Sequence, residues 1–204
     1  MDLDRRHLIG ASAAGVAGAL AMPVDAARAA PLTSVLGRDA TQYGVRPGSS
    51  EDQTRVLQRA IDEAARVQVP LALPPGIYRT GLLRLQSGSQ LVGVRGATKF
   101  MFTGAPSMIV SEGGNAIGLT GITFDGSGIA LPTRRGLIHC LGGRDVRILD
   151  CEITASGGSG IWLEQVAGDI SNNILANIAV TTDLAADGEQ RFAQVMVGGN
   201  AVRR

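Results

Sequence analysis

The chain has 204 residues, 45% of them hydrophobic, and a formal net charge of +1. That is enough apolar material for one domain with a sizeable core. The near-neutral balance, without a basic run, leaves no nucleic-acid footprint. No stretch beyond the N-terminus approaches the ~20 apolar residues of a membrane span, so no transmembrane segment is expected in the mature chain. Glycine is abundant, with 28 residues, and aromatics make up only 3%. Abundant glycine without a collagen period suits a turn-rich β protein.

Residues 1–29 have the layout of a secretory signal. Arg5 and Arg6 precede an Ala/Gly/Val/Leu run, and Ala27-Arg28-Ala29 ends it as a small-x-small cleavage site. The arginine pair before a moderately apolar stretch points to the twin-arginine export machinery as a partner, with a general secretory signal as the alternative. Removing residues 1–29 takes away His7 and leaves His139 as the one histidine of the mature chain. A multi-histidine zinc or iron site is therefore excluded within one chain. Cys140 and Cys151 remain. Two separate core cysteines are expected ahead of a disulfide, because Cys151 falls on an inward position of the repeat described below.

Asp39 to Val45 reads as a short strand and turn, punctuated by Pro47-Gly48. Ser50 and Gln53 have the spacing of a capping box, so a helix is expected over about 51–66. Val56, Leu57, Ala60, Ile61, Ala64 and Ala65 form one apolar stripe on it. Short strands follow at Val69–Leu73, Ile77–Thr80, Leu82–Leu85 and Leu91–Gly93, separated by Pro74-Pro75-Gly76 and Ser87-Gly88-Ser89.

A phrase then recurs. Leu119–Phe124, Ile148–Ile153 and Ile170–Leu175 can be laid over one another, 29 and 22 residues apart, with Leu91–Gly96 as an earlier copy. Each begins on an apolar residue, and the three later copies carry a turn former two places on: Gly121, Asp150 and Asn172. Phe124, Ile153 and Leu175 close them. The longer step holds Ser127–Arg135, a Gly/Pro-bearing inserted loop. Repeats of this period imply stacked units. Short segments cut by Gly, Asn and Asp make each unit one rung of a parallel β-helix, an all-β solenoid, with the helix as N-terminal cap. An ordinary β-sandwich with coincidental phrases is the alternative.

Tyr43-Gly44, the Val56-to-Ala65 helix, Pro74-Pro75-Gly76-Ile77-Tyr78 and Leu91–Gly96 resemble the N-terminal part of pectate-lyase-like right-handed parallel β-helix proteins. With Arg5-Arg6 in front, the likeness is to twin-arginine-translocated repetitive members of that superfamily. The resemblance covers about residues 1–178 and implies a periplasmic or secreted protein. It implies little about activity, since members of that group generally have no assigned reaction. The domain is accordingly expected over 30–180. Residues 181–204 depart from the pattern and are expected to be an irregular, weakly ordered tail, as in a truncated copy.

One outward row offers chemistry. Ile138-His139-Cys140 and Ile161-Trp162-Leu163 are 23 residues apart, one coil. With the aliphatic and thiol positions inward, alternation sends His139, Trp162 and Glu164 outward. A tryptophan face can hold a sugar ring, and an imidazole or carboxylate can move a proton. The plainer alternative packs Trp162 beneath the Ser127–Arg135 loop and uses His139 to cap a carbonyl.

The remaining acids fit turns. Asp125 sits in Asp-Gly-Ser-Gly, Asp150 aligns with Gly121 and Asn172, and the paired carboxyls of a glycoside hydrolase are not recognisable. No catalytic residue is assigned and no cofactor is expected; calcium is left open and unsupported. The function expected is an exported β-helix protein that binds or processes polysaccharide. The alternatives are a non-catalytic scaffold and a truncated, non-functional family member.

Overall fold

The computed structural model describes residues 37–178, together with residues 195–198 and 201–203. Arg5, Arg6, Ala27 and Ala29, and with them the expected export signal, lie outside the described residues. The described residues form fifteen strands, one α-helix and a 3-10 turn at Ala40–Tyr43. In chain order the strands begin with β1 (Arg38–Asp39), β2 (Leu71–Ala72), β3 (Gly76–Thr80), β4 (Leu83–Arg84) and β5 (Gln90–Val92). Then come β6 (Thr98–Phe102), β7 (Ile109–Glu112), β8 (Ile117–Thr120), β9 (Thr123–Asp125) and β10 (Gly136–Leu149). The series ends with β11 (Glu152–Thr154), β12 (Ser159–Ser171), β13 (Ile174–Ala176), β14 (Val195–Gly198) and β15 (Ala201–Arg203). The helix α1 spans Thr54–Arg66.

Every ladder between these strands is parallel. One sheet runs β1-β2-β5-β8-β10-β12-β14, with β7 joining on β10 and β4 on β7. The other runs β3-β6-β9-β11-β13-β15. The chain thus alternates between two curled parallel sheets, and each strand lies on its counterpart from the preceding circuit. Such an arrangement puts like positions in files.

The files are those the repeated phrases require. Leu71, Leu91, Leu119, Ile148 and Ile170 are in register in the first sheet. Tyr78, Phe100, Phe124, Ile153 and Leu175 are in register in the second. The aromatic rings meet edge to face, with centroids 5.7 Å apart at both the Tyr78–Phe100 and Phe100–Phe124 contacts. Edge-to-face packing aims the positive rim of one ring at the negative face of the next. The buried Tyr78 hydroxyl donates to the Pro74 carbonyl at 2.6 Å, so the file carries no orphaned phenol.

The corner after the first-sheet strands explains the turn formers. Gly121, Asp150 and Asn172 have φ of +67°, +54° and +58°, the left-handed region. Glycine, or a short polar side chain that bonds locally, tolerates it. The neighbouring Asn173 is fully buried: its Oδ1 accepts from the Cys151 amide at 2.8 Å and its Nδ2 donates to the Ile148 carbonyl at 2.7 Å. One side-chain amide thereby joins adjacent rungs. Cys140 and Cys151 are buried and unbridged, and burial pushes each thiol up to about 12.

The helix buries Leu57, Ala60, Ile61, Ala64 and Ala65 of the stripe read from the sequence and leaves Val56 half-buried. Its start differs from expectation: it begins at Thr54, and Ser50 and Gln53 form no capping box. Residues 52–53 are instead held against β3, through an Asp52–Arg79 bridge and the Gln53 amide donating to the Arg79 carbonyl at 2.8 Å. Asp52 Oδ1 accepts from the Thr54 amide, the first of the helix, at 2.9 Å. Gln53 bonds both backbone groups of Arg46, each at 2.7 Å. On α1, Gln58 does the same for Arg84 on β4, each at 2.8 Å. A side-chain amide takes the place of the missing neighbour strand, which answers the exposed edge.

The expected irregular tail falls in part on described residues. β14 and β15 lie within 181–204 and extend both ladders, pairing Ile170 with Val197 and Leu175 with Val202. Val197, Gly199 and Val202 repeat the spacing of Ile170, Asn172 and Leu175, a copy of the phrase that the sequence reading missed. The other residues of that stretch lie outside the described ones.

Candidate functional site: an outward face on the first sheet

β10 and β12 are long, and each turns a corner within itself. The ladder between them is irregular between Gly143 and Val146. Before that corner, Ile138, Cys140, Ile161 and Leu163 point inward and are buried. Alternation therefore turns His139, Leu141, Trp162 and Glu164 outward. His139 is in register with Trp162, and Leu141 with Glu164. The preceding rung places Val110 beside His139 and Glu112 beside Leu141. Arg84 is in register with Val110 one rung earlier. The face thus carries two columns: Arg84, Val110, His139 and Trp162 in one, Glu112, Leu141 and Glu164 in the other.

The three residues singled out from sequence are brought together. The indole Nε1 of Trp162 donates to Glu164 Oε1 at 2.5 Å. His139 is close enough to feel Glu164, Glu112 and Arg135 electrostatically. Trp162 and Glu164 are half-buried. His139 is only 4% exposed although it faces outward. Burial, then the Arg135 charge, push the imidazole below its ordinary value, and Glu164 and Glu112 oppose this. Its Nδ1 is buried and has no hydrogen-bond partner.

Glu112 was not legible as part of this group. It lies 29 residues before Leu141, the same step as Leu119 to Ile148, and that spacing was the signal that could have found it. Leu141 is 39% exposed, an apolar spot between two carboxylates. A shallow groove adjoins the face where α1 meets β4 and β7, lined by Gln58, Asp62, Arg84, Gln86, Val110 and Glu112.

The other acids serve structure. Asp125 Oδ1 accepts from the Ser127 amide at 2.9 Å, and the Asp125 carboxylate pairs with Lys99 at 3.4 Å. Asp150 pairs with Arg95 at 3.1 Å and Asp145 with Arg147 at 2.8 Å, both at the surface. Among the described residues, no group of three or more His, Cys, Asp or Glu is placed to hold a metal ion. Nor, among them, is any helix long and apolar enough to cross a membrane.

No protein-family model matches the chain, and no curated protein does. Solved structures do. The A-module of the Azotobacter vinelandii mannuronan C-5 epimerase AlgE4 is similar with a TM-score of 0.67 and 19% identity, over 81% of this chain and 52% of that one. The AlgE6 A-module of the same organism gives 0.59 and 17%, over 81% and 56%. A putative glycosyl hydrolase from Parabacteroides merdae gives 0.56 and 16%, over 81% and 95%. The chain spans about half the length of each epimerase module. At these identities the likeness is one of fold, a curled parallel β-sheet of the β-helix type.

Proposed function

We propose that the chain is an exported right-handed parallel β-helix protein that binds polysaccharide along the outward face of His139, Trp162 and Glu164. The observation that carries this is the register of His139 against Trp162, with the indole fixed by Glu164. An aromatic ring held by its own N–H presents an oriented apolar surface, and polar groups beside it suit sugar hydroxyls. The fold likeness to a mannuronan epimerase and a putative glycosyl hydrolase supports a polysaccharide ligand. The Arg5-Arg6 signal supports export through the twin-arginine machinery to the periplasm or beyond. No cofactor is proposed.

A glycan array tests the reading. The wild-type protein should bind a subset of polysaccharides, and Trp162→Ala should lose about tenfold in affinity. Unchanged binding by the variant removes the face from the account. For export, Arg5→Lys with Arg6→Lys should leave unprocessed protein in the cytoplasm. Processing at the wild-type level would remove the twin-arginine route.

A second reading, a non-catalytic scaffold, is favoured by one feature. Trp162 gives its only donor to a residue of its own strand, and the half-buried pair is satisfied without a ligand. Turnover of a polysaccharide by the purified protein would rule that reading out.

A further inference from the structure

The two halves of the inserted loop Ser127–Arg135 are held differently. The first half lies along the next coil. The Gly126 amide donates to the Thr154 carbonyl and the Gly128 amide to the Ala155 carbonyl, each at 2.8 Å. Ala130 then makes a parallel bridge with Gly157, and Leu131 lies over Gly158. Glycine is needed at 157, because a Cβ there would run into the Ile129 carbonyl oxygen. Beyond Leu131 the chain changes character. Pro132, Thr133 and Arg134 are exposed and Arg135 is half-buried, before β10 begins at Gly136. Arg134 has φ of +61°, the left-handed region that a long side chain rarely adopts. Two successive arginines thus stand at an exposed turn with a strained backbone.

Proteolytic nicking concentrates at exposed loop tips, because the protease must draw several residues out of their hydrogen bonds. The other described arginines are placed against this. Arg55, Arg59 and Arg66 are in α1. Arg38, Arg79 and Arg147 are in β1, β3 and β10. Side-chain amides hold both backbone groups of Arg46 and of Arg84. Two arginines occupy corners. Arg95 sits inside a tight turn closed by the Ala97 amide on the Val94 carbonyl at 2.9 Å. The Arg144 amide donates to Asn115 Oδ1 at 2.9 Å, and its carbonyl accepts from the Ala116 amide at 2.9 Å.

We propose that the turn at Thr133–Arg135 is a processing site, where an arginine-specific endoprotease cuts after Arg134 or Arg135 and leaves a two-chain protein that stays folded. One water is consumed. Its oxygen bonds to the arginine carbonyl carbon as the C–N bond breaks, giving a carboxylate on the arginine and a free amine on the next residue. Register explains why the halves stay together. β10 follows the cut and pairs with β7 and β8, which precede it. β11 likewise pairs with β9. Ile138, Cys140, Ile148 and Ile153 are buried in the same core cluster as Ile109, Leu119 and Phe124 from the other half. The inference is independent of the polysaccharide reading.

The test treats the purified full chain with a trace of an arginine-specific protease that spares lysine, and reads fragment masses over time. Within residues 37–178 the first cut should fall after Arg134 or Arg135. The two fragments should elute together in size exclusion and keep the circular dichroism of the uncut protein. Arg134→Lys combined with Arg135→Lys preserves both charges and removes both cleavable bonds. It should slow the first cut within 37–178 by about tenfold or more, since any other arginine there must wait for local opening. Circular dichroism of the uncut variant, equal to wild type, shows that the delay is not a change of fold. A first cut after any other arginine of that range, or a variant cut as fast as wild type, overturns the site. Fragments that separate in native buffer overturn the two-chain product.

Discussion

The inner file of the second sheet and the outer column of the first are built by the same register and hold opposite kinds of residue. Tyr78, Phe100, Phe124, Ile153 and Leu175 repeat one task, filling space along the axis. Arg84, Val110, His139 and Trp162 stand in equally strict register, yet no two share a chemistry. A stacked parallel fold makes rungs equivalent, so packing alone calls for like residues at like positions. Diversity within one column therefore marks a surface where something other than packing sets the side chain. The comparison separates a file set by packing from an outward column that packing leaves free.

The largest effect is expected in the inner file. Phe124→Ala removes a ring packed edge to face and leaves a cavity between rungs. It should cost about 3–5 kcal/mol in denaturant unfolding, a large share of the ~5–15 kcal/mol typical of a folded domain. A cost below about 1 kcal/mol would mean that the file is not the core. Asn173→Ala comes next. It strands the Cys151 amide and the Ile148 carbonyl inside the protein, at about 1–3 kcal/mol for each buried group left unsatisfied. The same unfolding curve reads it, and the loss should be local to the β8–β12 rungs in hydrogen exchange.

The outer column should respond to pH more than to truncation. Because the folded imidazole of His139 is held below its unfolded value, the unfolded chain binds more protons in the window between the two. Stability should therefore be fully present above the ordinary histidine range and fall as pH drops through it. Comparing unfolding midpoints of wild type and His139→Gln across that range isolates the contribution. A wild-type curve parallel to the variant's would show that His139 is solvated. The smallest effect belongs to Arg95→Ala, which breaks an exposed ion pair with Asp150. It should change stability by less than about 1 kcal/mol. A larger loss would mean that this pair also holds the corner.

Much of the inner architecture was legible because strands leave a period of two and circuits leave a longer period on top of it. Phe124, Ile153 and Leu175 aligned in the sequence and stack in the fold. The positive-φ corner announced itself through Gly121, Asp150 and Asn172, residue types chosen by the backbone. What failed to show was cooperation between distant side chains. Gln53 has the spacing of a cap but clamps Arg46, because only the folded chain brings that backbone within reach. Asn172 and Asn173 look alike in sequence, and only the rung geometry sends one into a turn and the other inward. Alternation told which way His139 points but not that it is buried. Glu112 was missed because its step of 29 residues differs from the 23 between His139 and Trp162, the inserted loop having stretched one circuit.

Trp162 is the only tryptophan in the chain, so its fluorescence reports the outward face without a label. Titrating the purified mature protein with neutral polysaccharide should shift or quench that emission along a saturable curve, and Glu164→Ala, which removes the indole's acceptor, should alter both the starting spectrum and the apparent affinity. An emission spectrum indifferent to every neutral and acidic polysaccharide offered, from a protein shown to be folded, would contradict the account.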